Sequence, residues 1–260
     1  MSKSKLFFLF FCMIGIVLRV NSAVYAVENE AVRRLHEAIE RVETNKEKAR
    51  LHKELGDVYV TLDDLESAAD AYLRALALYP QFPDDERLQM AVTVSWAERY
   101  DEAINILKGI LAENPGDREA RIQLARTLSW AGNYDEAIQQ ANAILQEDPE
   151  SRDALLVKAN SLNWSGQPRK AIPLYQQLLA EEEDFDARLG LSHAYLSVGS
   201  KEAASRNKAM LEPELPYQER ELKRLNEAVS AAFQPTLDLE YSHYDDSDDN
   251  VRDRYSMRFR

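Results

Sequence analysis

The chain has 260 residues, 45% of them hydrophobic and 30% charged, with only 8 Gly, 9 Pro and 1 Cys. That composition excludes disulfide scaffolds, collagen-like repeats and wholesale disorder, and it suits a helix-rich protein of one or two domains. A formal net charge of −13, from 32 basic against 45 acidic residues, repels phosphate polymers and anionic lipid, so nucleic acid is not expected as a partner.

Residues 1–26 read as a secretory signal: Lys3 and Lys5 precede the apolar run Leu6 to Leu18, and Val24-Tyr25-Ala26 offers small residues for cleavage. As a helix that run spans about 20 Å, short of the roughly 30 Å hydrocarbon core that an uncleaved anchor must cross. Cleavage after Ala26 would remove three cations, Lys3, Lys5 and Arg19, and no acidic residue, leaving the mature chain still more acidic. It would also remove Cys12, the sole cysteine, so folding would rest on packing without disulfides. Phe10 and Phe11 stand before Cys12 where a lipoprotein signal needs a small residue, which argues against lipidation. Residues 27–48 then form a helical lead-in, because Val32, Leu35, Ile39 and Val42 recur at three- and four-residue steps.

From there an internal repeat organises the chain. Ala68, Ala103, Ala137, Ala171 and Ala204 recur at intervals of 35, 34, 34 and 33, and Pro80, Pro115 and Pro149 keep the same frame. Gly56, Ala91, Ala125 and Ala159 form a second column, with Leu55 and Tyr59 flanking Gly56 much as Leu124 and Leu128 flank Ala125. Small residues in two such columns suit places where helix backbones approach too closely for larger side chains, and each proline suits a helix end because it lacks the amide hydrogen and clashes with the preceding turn. Five units follow over 49–218, at 49–82, 84–117, 118–151, 152–184 and 185–218; the fourth has Glu183 in place of proline and the fifth has Ser192 at the small position. A capping helix over 219–234 is expected next, with Leu222, Leu225, Val229 and Phe233 on one stripe, to cover the face that the last repeat would leave in water.

After Pro235 the period changes to two. Leu237, Leu239 and Tyr241 alternate with Asp238, Glu240 and Ser242; Asp245 to Asn250 makes a polar turn; Val251, Tyr255, Met257 and Phe259 alternate with Arg252, Arg254, Ser256 and Arg258. The pattern over 235–260 is a β-hairpin with one apolar face and one face of carboxylates opposite guanidinium groups. It reads either as the start of a transmembrane barrel, since an unclosed pair would strand its backbone groups in lipid, or as a soluble hairpin closing the last helix.

The alanine, glycine and proline columns resemble the tetratricopeptide repeat, which implies an all-α, right-handed solenoid of helix pairs. The export signal, the Ser95-Trp96-Ala97, Ser129-Trp130-Ala131-Gly132 and Asn163-Trp164-Ser165-Gly166 turns, and the hairpin that starts at Pro235-Thr236-Leu237 are similar together to bacterial outer-membrane proteins that join periplasmic repeats to a C-terminal barrel. The YaiO-like barrel family is the nearest of these, with polysaccharide export porins more distant. That resemblance implies periplasmic placement, contact with the outer membrane through the barrel, and a role at the cell envelope, often in polysaccharide export. The alternative is a free-standing soluble adaptor without a barrel.

All three tryptophans, Trp96, Trp130 and Trp164, lie 34 apart and so share one position in successive repeats. The family resemblance puts that position near the end of the first helix, beside the concave groove. There the flat rings could stack on a neutral or cationic glycan or clamp an extended segment of a partner protein, or each could plug the gap between its own helices. Arg126, Asn160, Asn163 and His193 stand on the same first helices at positions that line the groove in the family, or that are ordinary solvated sites. A catalytic reading finds no motif. His36-Glu37-Ala38-Ile39-Glu40 lacks the second histidine of a zinc-protease helix, the Asp245 to Asn250 turn lacks the glycine and glutamate of a calcium loop, and no phosphate loop or nucleophile elbow is present. No cofactor, metal or enzymatic activity is therefore expected.

Overall fold

The structure, a computed structural model, describes residues 30–234, 237–245 and 251–259. The readings made for residues 1–26 and for the acidic turn at 246–250 lie outside them. Twelve helices stand among the described residues: α1 over 30–41, α2 Asn45–Thr61, α3 Leu65–Leu78, α4 Asp84–Trp96, α5 Tyr100–Glu113, α6 Arg118–Trp130, α7 Tyr134–Glu147, α8 Arg152–Trp164, α9 Pro168–Glu181, α10 Phe185–Ser197, α11 Lys201–Lys208 and α12 Pro216–Ala232. The backbone of Leu237–Asp245 (β1) pairs antiparallel with Val251–Phe259 (β2). The chain divides into two compact units, Met1–Pro149 and Glu150–Arg260.

The first unit is a stack of helix pairs. α2 packs on α3, α4 on α5 and α6 on α7, while α3 meets α4 and α5 meets α6 between pairs. Ala68, Ala91, Ala103, Ala125 and Ala137 have no exposed surface, so these columns stand at the closest approaches. Around them Met90, Val94, Leu107 and Ile110 are wholly buried, each contributing about 2 kcal/mol of apolar burial. Gly56 departs from the expected backbone approach. A Cβ there would lie 2.3 Å from the ring of Tyr72 on α3, so the missing side chain makes room for an aromatic ring. Leu35 and Ile39 bury α1 against Leu55 and Ala71, covering the first pair.

In the second unit α8 packs on α9, α9 on α10 and α10 on α11. Its last pair is shortened, because α11 has only 8 residues. α12 compensates, laying Leu225 and Val229 against Ala204 and Leu211 with Leu222 at the margin. Phe233, placed on that stripe by its spacing, is instead 46% exposed just past the helix end, under the Lys201 ammonium at 5.0 Å.

One turn recurs inside every pair. Asp63, Glu98, Gly132, Gly166 and Gly199 all have φ between 59° and 81°, and they are spaced 35, 34, 34 and 33 apart. In each, the next residue's amide donates five residues back: Asp64 to Tyr59, Arg99 to Val94, Asn133 to Leu128, Gln167 to Leu162 and Ser200 to Tyr195, at 2.8–3.1 Å. The left-handed residue's own amide donates three residues back, as Gly132 does to Ser129 at 3.2 Å, which completes a Schellman end. Three of the five positions hold glycine, which adopts that φ freely; Asp63 and Glu98 adopt it at a cost of about 1 kcal/mol each. Accordingly, Glu98→Gly should raise the urea midpoint and Gly132→Ala should lower it, each by the equivalent of about 1 kcal/mol in a two-state fit. Equal stability in both variants would contradict the turn assignment.

Candidate functional site

Trp96, Trp130 and Trp164 are the last residues of α4, α6 and α8, directly ahead of the left-handed turns. Because the chain reverses within two residues, the second helix of the pair cannot fold over these rings. They are 55%, 38% and 48% exposed, so none fills the gap between its own helices. Met210, Leu215, Tyr217, Phe233 and Tyr241 are exposed too, but singly; the three indoles are exposed at one recurring position of the repeat frame.

One turn before each tryptophan lies Val92, Arg126 or Asn160, on the same helix face. In the first unit Arg126 is held by Gln123, whose Oε1 accepts from its Nη1 at 3.2 Å, which keeps the guanidinium on the face that Trp130 occupies. In the second unit Asn160 is engaged with the core as well as the surface. The Tyr175 hydroxyl on α9 donates to its Oδ1 at 2.7 Å, just as the Tyr72 hydroxyl donates to Asp57 Oδ1 at 2.7 Å in the first unit. Burial pushes the Tyr175 hydroxyl's pKa up, and Asn163 partly offsets that shift. The Oδ1 of Asn163, beside Trp164, is buried with no hydrogen-bond partner. Tyr175→Phe would remove the donor to Asn160 and should cost about 1 kcal/mol by urea unfolding.

His193 does not stand in an open groove. It is partly buried on α10, the helix against which α12 packs, and burial lowers its pKa while Glu221 of α12 opposes the shift. His52 on α2 is lowered in the same way, by burial first and then by Arg74, His36 and Lys48. A histidine whose folded-state pKa lies below its unfolded value contributes stability that is complete above the ordinary histidine range and is lost as pH falls through the folded value. The denaturation midpoint should therefore fall between neutral pH and about pH 5, and His193→Gln should flatten part of that dependence. A midpoint flat across the range would contradict the buried neutral state.

Two further features escaped the sequence reading. Arginines early in the first helices reach the C-terminal ends of their second helices, where carbonyl dipoles favour a cation. Arg87, only 8% exposed, is held bidentately by Glu113 at 2.7 and 2.8 Å; Arg118 pairs with Asp148; Arg152 donates to the Leu178 carbonyl at 2.9 Å. The acidic run Glu181 to Asp184 likewise has work in the fold, since Asp184 caps α10 through the Ala187 amide at 2.8 Å and Glu183 pairs with Arg188. Of the His36 to Glu40 stretch, His36, Glu37 and Glu40 lie on the solvated face of α1, with Glu37 paired to Arg33 at 2.6 Å and to Arg41 at 3.5 Å, while Ile39 packs into the core. Among the described residues no group of three metal-ligating side chains converges, and no helix is long and apolar enough to cross a membrane.

Models of the tetratricopeptide repeat match residues 29–83 and 97–160. These segments of the chain are tetratricopeptide repeats. Among solved structures, a tetratricopeptide repeat protein from Parabacteroides merdae is 18% identical with a TM-score of 0.62, and the match covers 84% of this chain and 92% of that one. A thermophilic repeat protein from Thermus thermophilus is 20% identical with a TM-score of 0.56, over 70% of this chain and 99% of that one. At such identities the likeness speaks for the fold alone. No curated protein matches the sequence. Neither matched segment includes residues 1–26 or the strand pair. Repeats of this family are typically non-catalytic scaffolds for protein–protein interaction.

Proposed function

We propose that this protein is a periplasmic scaffold that holds an extended segment of a partner protein against its first-helix faces, with the exposed tryptophans as the anchors. The observation that carries the reading is the recurrence of one exposed indole at one position of successive pairs. A rigid aromatic ring already fixed in the free protein loses little entropy on binding, and burying it contributes strongly, which is why tryptophan dominates binding hot spots. In the first unit Arg126, one turn from Trp130, adds a donor for a carbonyl or carboxylate of the bound segment.

A glycan is the second reading, favoured by the open indole faces, which suit stacking on a sugar ring; the acidic surface then selects a neutral or cationic polymer. Placement in the periplasm rests on the signal pattern of residues 1–26, and attachment to the outer membrane rests on the alternation that starts at Pro235. In the strand register Leu237, Leu239 and Tyr241 pair with Phe259, Met257 and Tyr255. A barrel beginning there would make the repeats the periplasmic part of an envelope export protein; the other form of the proposal is a free-standing adaptor.

Trp96→Ala with Trp130→Ala should abolish partner or glycan capture by the first unit while leaving the helical circular dichroism unchanged, because neither ring is part of the core. Trp164→Ala tests the second unit in the same assay. Undiminished capture by the triple variant would remove the tryptophan reading.

A further inference from the structure

A second cleft lies away from the tryptophans, at the open end of the first complete helix pair. It has a volume of about 340 Å³ and is lined by Lys46, Arg50 and Lys53 of α2, by Tyr79, Phe82 and Pro83 of the α3–α4 connection, and by Glu86. Its apolar wall is the edge-to-face pair Tyr79 and Phe82, with ring centroids 5.6 Å apart. Lys46 Nζ stands 5.2 Å from the centre of the Tyr79 ring. Lys53 is held by Asp57 at 2.9 Å. Among the described residues neither Lys46 nor Arg50 has a carboxylate partner.

The repeat frame gives these cations their meaning. At the position of Arg50 the later units carry Asp85, Glu119, Asp153 and Asp186, all in the first turns of their helices, where the dipole favours a carboxylate. At the position of Lys53 they carry Leu88, Ile122, Leu156 and Leu189. The first unit alone reverses the charge of one column and adds a cation to the other. Its helix also begins at Asn45, a turn earlier in the frame than α4, α6, α8 or α10, and that extra turn brings Lys46 over Tyr79. With Lys53 held by Asp57, the cations left over are Lys46 and Arg50 beside Glu86, and on a surface of net charge −13 they leave a local positive field that the fold does not use internally.

We infer that this cleft binds an acidic peptide segment of a partner protein, with a carboxylate between Lys46 and Arg50 and an adjoining apolar side chain against Tyr79 and Phe82. Charge complementarity selects the class: an acidic chain is repelled by most of the surface and attracted here, so the site sets register and orientation more than bulk affinity. Glu86, at the cleft's rim, disfavours a dense polyanion and favours spaced carboxylates. The inference is independent of the tryptophan faces.

The test is fluorescence anisotropy with the purified full chain and a fluorescein-labelled peptide of alternating Glu and Leu, with the Gln and Leu counterpart and an oligogalacturonate as controls. The acidic peptide should bind, more weakly as salt rises, and the neutral peptide should not. Arg50→Asp with Lys53→Leu, which gives the first unit the side chains its neighbours carry at those positions, should weaken binding by roughly tenfold or more, with unchanged circular dichroism. Lys46→Gln, an exposed change that leaves the fold alone, should weaken it in the same direction, and Trp96→Ala with Trp130→Ala should leave it intact. The inference is overturned by equal binding of the neutral peptide, by unchanged affinity in the charge variants, by loss in the tryptophan variant, or by binding of the oligogalacturonate in preference to the peptide.

Discussion

The structure depends on the closeness with which the two helices of each pair approach. Alanine at the paired columns removes every atom beyond Cβ, and these residues have no exposed surface in either unit. Gly56 in the column, and Gly190 two residues ahead of the column's Ser192, leave the volume that admits the rings of Tyr72 and Tyr175, whose hydroxyls then reach Asp57 and Asn160. Close packing in turn forces the chain to reverse within two residues, which only a left-handed residue allows. The turn then fixes where each first helix stops and leaves its final side chain outside the pair. Exposure of the three indoles is thus a consequence of the packing geometry joined to the choice of residue at one position.

Much of this was legible in the sequence because small residues advertise themselves by what they exclude. The alanine column gave the period, the prolines the ends of the second helices, and the glycines after Trp130 and Trp164 the turns. Asp63 and Glu98 concealed the same turn, since neither side chain signals a positive φ. The arginine contacts were hidden for a different reason: a long side chain can reach many partners, and only the folded pair puts Arg87 beside Glu113 or Arg152 beside the Leu178 carbonyl.

Among the expected groove residues, sequence spacing gave the helix face but not its competitors for hydrogen bonds. Asn160 shares its oxygen with Tyr175, and His193 lies on the helix that α12 covers, because a tyrosine or a capping helix elsewhere in the chain claimed them. The basic cleft at Lys46 and Arg50 was invisible for the opposite reason. Its meaning appears only when the first unit is compared with its successors at matching positions, and the repeat supplies that comparison inside one molecule.

Since the protein's only three tryptophans occupy this single structural position, intrinsic fluorescence reads that position with no other contribution. Emission of the free protein, with its quenching by acrylamide, tests the central claim most directly. Open indoles at the helix ends require a red-shifted maximum and efficient quenching, little changed by Trp96→Phe, Trp130→Phe or Trp164→Phe taken singly. A blue-shifted maximum that resists acrylamide until the protein is unfolded would contradict the account.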